Sequence, residues 1–211
     1  MLRDAYPFLI ALFLLAVVAT ILGYWLSPGF YLLMVILVLL AAFIAFFFRN
    51  PHRVISEDPN LVLSPADGHV TIVKPLNTED PAAGMLVSIF LSVFDVHINR
   101  TPIAGRITKV TYQKGQFLNA LNQRSSIDNE QNIVTVENEK LTVTFTQIAG
   151  VIARRSVFWK KIGDTLQPGE RVGLIKFGSR TDLFLPSQVE VVVKKGDRVI
   201  GGKTIIGTIR Q

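Results

Sequence analysis

Three side chains in this sequence have the types that acid, base and nucleophile chemistry requires. Asp67 lies in SPADGHV (64–70), His97 in FDVHINRTP (94–102) and Ser179 in GLIKFGSRTDLFLP (173–186). A serine hydroxyl needs a neighbouring base to lose its proton, and a histidine needs a partner that fixes its tautomer. Spacing alone does not bring the three together. Pro-Ala-Asp-Gly also suits a plain turn in which the aspartate bonds backbone amides. A structural role accounts for a lone histidine equally well. His97 nevertheless follows an apolar strand at a strand-to-loop transition, where functional side chains project. Asp95 is a second carboxylate that could assist it.

The frame around Ser179 is Lys176-Phe177-Gly178-Ser179-Arg180, so the G-x-S-x-G elbow of hydrolases is absent. Gly178 has no side chain, and the Ser179 hydroxyl can close on the preceding carbonyl carbon. An amide resists attack because resonance holds it planar, with a rotation barrier of about 18–20 kcal/mol. A strained loop and a pre-positioned hydroxyl lower that resistance. Attack shifts the acyl group from nitrogen to oxygen. β-Elimination of the ester leaves dehydroalanine, which hydrolyses to ammonia and a pyruvoyl group. The chain would part between Gly178 and Ser179, with a ketone at the new N-terminus.

The sequence has no cysteine, and its histidines are His52, His69 and His97. Three scattered histidines without thiolates argue against zinc, and no metal is expected. His52 sits among arginines and His69 at a strand start, where structural roles suffice.

These residues must be positioned by short strands. Alternation and β-branched enrichment predict strands over 69–74, 85–93, 107–113, 132–138, 140–153, 171–177, 188–195 and 204–209. Residues 114–124 are a candidate helix, and the apolar-poor run 122–132 reads as a loop. The expected fold is mainly β, a compact barrel or sandwich of short strands. Gly163-Asp164-x-Leu166-x-x-Gly169 resembles Gly196-Asp197-x-Val199-x-x-Gly202, a turn type also found in lipoyl- and biotinyl-type sandwiches. Two unrelated turns would read the same way.

Ahead of this domain, Phe8–Leu26 and Gly29–Phe48 carry no charge. Each has roughly the 20 residues that cross about 30 Å of hydrocarbon. Ser27-Pro28-Gly29 leaves room only for a turn, so residues 1–48 read as a transmembrane hairpin and 49–211 as the catalytic domain. A second span directly after a barely basic start argues against a cleaved signal peptide. Arg3, Arg49 and Arg53 place both termini in the cytoplasm by the positive-inside rule, with the domain on the cytoplasmic face of the cell membrane. The net charge of +6 falls entirely within 49–211. A basic domain beside a membrane favours anionic lipid. No basic-aromatic motif supports nucleic acid.

FFFRNPHR (46–53), SPADGHV, FLSVFDVHINRTPIAG (90–105) and FGSRTDLFLP (177–186) occur in an order that resembles the phosphatidylserine decarboxylase proenzymes, in particular their short, archaeal type. The resemblance covers nearly all of 49–211. It implies self-cleavage into a β chain (1–178) and an α chain (179–211) that stay associated, with Asp67 and a histidine activating Ser179. It also implies a covalent pyruvate cofactor formed from Ser179, which would hold the substrate amine as a Schiff base and accept the electrons released with CO₂. His97 would protonate the carbanion. The family's D-x-H-x-x-H-x-P is Asp95-Val96-His97-Ile98-Asn99-Arg100-Thr101-Pro102 here, with Arg100 at the second histidine position. His97 would then serve both steps, or Asp95 would assist.

Arg154 and Arg155 in VIARRSV, and Arg100, are candidates for the headgroup phosphodiester. Phe117, Leu118 and Leu121 are candidates for contact with the lipid interface. The expected partners are an anionic phospholipid, the membrane and the two chains of one precursor, with a homodimer plausible for the family. The substrate would be phosphatidylserine or its ether-linked archaeal analogue. A membrane-tethered lipoyl-like carrier or adaptor, or an uncut membrane-anchored serine hydrolase, are the rival readings.

Overall fold

The computed structural model describes residues 1–80, 83–122, 124–151, 156–176 and 178–210. The chain divides into two compact units, Met1–His52 and Arg53–Gln211. In the first, α1 (Tyr6–Trp25) and α2 (Gly29–Phe47) form a hairpin. Both helices are apolar on all sides, as a helix surrounded by lipid is. Each is long and apolar enough to cross a membrane. Gly23 lets α1 approach the Tyr31 ring, since a Cβ there would come within 2.9 Å of it. The Leu2 amide closes the base of the hairpin on the Phe48 carbonyl at 2.9 Å.

The second unit is built from strands: β1 (Leu61–Leu63), β2 (Gly68–Pro75), β3 (Met85–Leu91), β4 (Ile98–Arg100), β5 (Gly105–Gln113), β6 (Gln131–Glu137), β7 (Thr142–Ile148), β8 (Ser156–Phe158), β9 (Thr165–Leu166), β10 (Arg171–Ile175), β11 (Ser179–Leu185), β12 (Val189–Val191), β13 (Arg198–Val199) and β14 (Ile205–Ile209). Eight of them curl into a half-barrel in the order β13-β2-β3-β11-β7-β6-β5-β9. Two three-stranded sheets, β1-β14-β12 and β4-β10-β8, complete the unit. Period-2 alternation sends Val87, Ile89, Val134, Val136, Phe145 and Leu183 into one core.

The register aligns one row of residues across the large sheet: Arg198, His69, Phe90, Arg180, Ile148, Gln131 and Gln113. The segments 92–97, 114–130, 149–151 and 192–197 all leave the sheet at this end. The turn at 161–164 lies at the opposite end, where β9 pairs with the start of β5.

The sequence repeat is structural. Gly163 and Gly196 take φ of 95° and 97°, and Gly169 and Gly202 take 63° and 73°. Asp164 and Asp197 each accept the amide of the lysine three residues earlier, at 3.0 and 2.9 Å. Each turn leads into a short edge strand, β9 or β13, that caps one margin of the half-barrel.

The described residues of 114–124 are not helical. A single helical turn, α3 (Ser125–Asp128), follows them. The Asn119 and Asn122 side chains accept the amides of Leu121 and Arg124, at 3.0 Å each. These Asx turns take amides that a helix would need.

Candidate active site

The apolar run 171–185 is two strands. β10 belongs to the sheet with β4 and β8, whereas β11 enters the half-barrel between β3 and β7. The chain changes sheets at 176–178. Gly178 there adopts φ +44°, a left-handed value that favours glycine. Ser179 is the first residue of β11 and pairs with Leu91. The Gly178–Ser179 bond thus sits at a joint between sheets.

Ser179 is fully buried, and among the described residues its Oγ has no hydrogen-bond partner. A buried unsatisfied hydroxyl costs about 1–3 kcal/mol and calls for an explanation. The carbonyl of Gly178 is crowded on one side: a Cβ on Gly150 would overlap its oxygen. Among the described residues, no atom outside the chain neighbours lies within 4 Å of a Cβ built on Gly178 itself. Glycine is therefore sterically required at 150, while at 178 the requirement is conformational.

His97 is buried where the chain turns from β3 toward β4. Its Nδ1 lies 3.0 Å from the Asp95 main-chain carbonyl. A carbonyl only accepts, so Nδ1 carries the proton in the neutral ring and Nε2 holds the lone pair. The His97 carbonyl in turn accepts the Ile175 amide at 3.2 Å, three residues before Gly178. The Asp95 carboxylate has other partners. One oxygen accepts the Ser92 amide and hydroxyl at 2.9 and 2.8 Å, and the other meets Arg198 at 2.8 Å. Asp95 therefore meets His97 through its main chain and shapes the 92–95 turn with its side chain.

Asp67 lies just before β2. Arg53 grips both carboxylate oxygens at 2.7 Å, and the Gly201 amide adds a bond at 2.9 Å. Arg100 donates to the Gly169 carbonyl at 2.8 Å. Burial, with the charges of Arg53 and Arg171, pushes the Arg100 guanidinium down to about 10, against an opposing pull from Asp67. It stays protonated near neutrality, so the second histidine position of the motif holds a cation that cannot act as a base. Arg154 and Arg155 lie outside the described residues.

Several participants in this region were not singled out as candidates from the sequence. Thr181, two residues beyond Ser179, accepts from Asn99 at 2.9 Å, and Gln147 donates to Asn99 at 2.9 Å. Asn132 bridges Gln147 and Ser156, at 3.2 and 3.0 Å. This buried amide chain holds β4, β6, β7 and β11 together. On the other face of β11, Arg180 and Asp182 form a bidentate pair at 2.7 Å, each side chain 2% exposed. Ser126 of α3 bonds both of them, and Arg180 also reaches the Ala120 carbonyl. The 114–130 segment is thereby fastened next to the Gly178–Ser179 joint. Their i, i+2 spacing along an apolar strand was the available signal for the pair.

The family model of phosphatidylserine decarboxylase matches residues 40–207. A phosphatidylserine decarboxylase proenzyme of Carboxydothermus hydrogenoformans is 45% identical over 213 residues, covering 100% of this chain and 97% of the relative. The protein of the same description from Solibacter usitatus is 54% identical over 171 residues, 81% and 80% of the two chains. That from Geobacter metallireducens is 43% identical over 208 residues, 98% and 95%. The joint that holds the buried Ser179 hydroxyl, and the His97 carbonyl that meets the strand leading into it, thus stand in a chain that belongs to the phosphatidylserine decarboxylase family.

Proposed function

We propose that this chain is a proenzyme that cuts itself between Gly178 and Ser179 and then decarboxylates phosphatidylserine to phosphatidylethanolamine. The observation that carries this reading is the unpartnered, buried Ser179 Oγ directly after a left-handed glycine. Attack by Oγ on the Gly178 carbonyl carbon moves the acyl group to oxygen. Loss of the Ser179 α-proton then expels the Gly178 carboxylate, and water replaces the nitrogen as ammonia. His97 Nε2 is the group suited to take the hydroxyl proton, because the Asp95 carbonyl occupies Nδ1. Asp67 acts as a positioning residue, fixing Arg53 and Gly201 around the start of β2.

The pyruvoyl carbonyl so formed supplies the electron sink for loss of the substrate carboxylate. His97 is then placed to return a proton to the carbon that loses CO₂. A buried site keeps water from that carbon. The products are chain 1–178 and chain 179–211, which remain together because β11 lies between β3 and β7. The hairpin anchors the enzyme in the membrane that holds its lipid substrate, with the domain on the cytoplasmic side. Ester and ether forms of the substrate present the same headgroup.

The mass of the denatured protein tests this. Wild type should give two pieces, the shorter beginning at residue 179 and reacting with a hydrazide. Ser179→Ala should remain whole. An uncut wild-type chain that releases CO₂ from phosphatidylserine overturns the proposal.

A further inference from the structure

The end of the half-barrel that carries the Gly178–Ser179 joint is rimmed by exposed apolar side chains. Leu121 is 55% exposed, Val151 60% and Ile127 71%. Leu121 follows buried Ala120, whose carbonyl Arg180 reaches. Val151 follows Gly150, which lies against the Gly178 carbonyl. Phe94, in the turn three residues beyond Leu91, is 66% exposed at the same end. The segments that close over the reacting bond thus turn apolar side chains outward.

The 114–130 segment is two-sided. Its inner side is polar and fixed: Ser126 on Arg180 and Asp182, and Asn129 on the Ala149 carbonyl at 2.7 Å. Its outer side shows Leu121 and Ile127, flanked by exposed Lys114 and by Arg124, which is paired with Asp128 at 3.2 Å. Exposed Lys194 and Lys195 stand on the neighbouring 192–197 loop. Leu121 and Lys195 also border one cleft of about 480 Å³, together with His69 and Arg180. Apolar tips within a ring of cations match an anionic bilayer, which offers hydrocarbon and negative headgroups at adjacent depths.

We propose that this end of the catalytic unit docks on the bilayer by itself, with Leu121, Val151 and Ile127 seated in the interface and the lysines among anionic headgroups. Docking there lets a lipid headgroup reach the joint while its acyl chains stay in the membrane. The inference rests on the reading of the substrate as a phospholipid. It adds a second membrane contact to the hairpin, one that orients the site.

The chain contains no cysteine, so single labels are clean. Full-length Leu121→Cys and Val151→Cys, carrying an environment-sensitive fluorophore, would be placed in vesicles of phosphatidylcholine and phosphatidylserine. Ile162→Cys is the control, being 60% exposed at the opposite end of the sheet. The labels at 121 and 151 should emit blue-shifted light and be quenched several-fold more strongly by nitroxide lipids than the label at 162. Equal quenching at all three positions overturns the proposal. So does a blue shift that nitroxide lipids leave unquenched, because a protein surface, such as a second copy, then covers this end. CO₂ release measured on the same samples reports separately on the decarboxylase reading.

Discussion

Replacing Gly150 with alanine should stall self-cleavage without unfolding the domain. The new methyl group would collide with the Gly178 carbonyl oxygen, a backbone atom that no rotamer change can move aside. Restoring van der Waals separation takes a shift of roughly 1 Å or more. Gly178 lies between β10 and β11, which belong to different sheets, so its carbonyl can shift without breaking a ladder. The carbonyl that Ser179 attacks in the proposed cleavage is what moves. A misplacement of about 1 Å in a near-attack geometry costs on the order of 10²-fold in rate. Gly178→Ala provides the contrast, because among the described residues its methyl group meets nothing beyond the chain neighbours. Its penalty is the left-handed φ, about 1–2 kcal/mol, or roughly 5–30-fold if the reactive conformer bears all of it. The assay follows conversion of precursor to two chains on denaturing gels, with a melting curve to verify folding. If Gly150→Ala matures as fast as wild type, or Gly178→Ala is the slower of the two, the steric account of the joint is wrong.

Three further outcomes follow from the charged contacts. Asp182→Asn leaves Arg180 buried without its carboxylate and should destabilise the precursor by about 3–5 kcal/mol, read as a lowered denaturation midpoint; an unchanged midpoint refutes the buried pair. Arg53→Ala removes the bidentate partner of Asp67 and should lower stability by about 3 kcal/mol, with Arg53→Lys recovering only part, because an ammonium cannot form the fork. Burial pushes Glu170 up, but bonds from Lys160 and the Gln167 amide, with the Lys160 charge, outweigh it and hold the carboxyl below its ordinary value. A depressed carboxyl stabilises the fold above its unfolded pKa of about 4.3 and loses that contribution as pH falls through the folded value. Glu170→Gln should therefore reduce the melting temperature at neutral pH and converge on wild type in acid; a constant offset across pH would sink the linkage.

Local signals carried much of this architecture. Two charge-free runs gave the helices, and alternation gave most strands of the half-barrel, because both depend on residues near one another in the chain. The joint at 176–178 was visible only as an interruption, since the exchange of sheets depends on which distant strands lie alongside. Ser179, Gly178 and His97 stood out through their motifs. The partners of Asp67 were not legible as such: Arg53 stood only in the FFFRNPHR motif and Gly201 lies 134 residues away, and both meet Asp67 only after folding. Gly150 carries no motif, and its importance is a matter of one interatomic approach. The 114–124 segment was a candidate helix, yet Asn119 and Asn122 divert its amides into turns.

The place of β11 between β3 and β7 has a bearing on renaturation. A precursor finds that slot as part of one molecule, at the high effective concentration that covalent linkage provides. Once severed, the same strand belongs to a separate short polypeptide, and recovery from denaturant becomes a bimolecular event that dilution opposes. The proposed maturation would therefore act as a thermodynamic ratchet. The enzyme is assembled while still a single chain, and a molecule melted afterwards has lost the tether that guided its assembly.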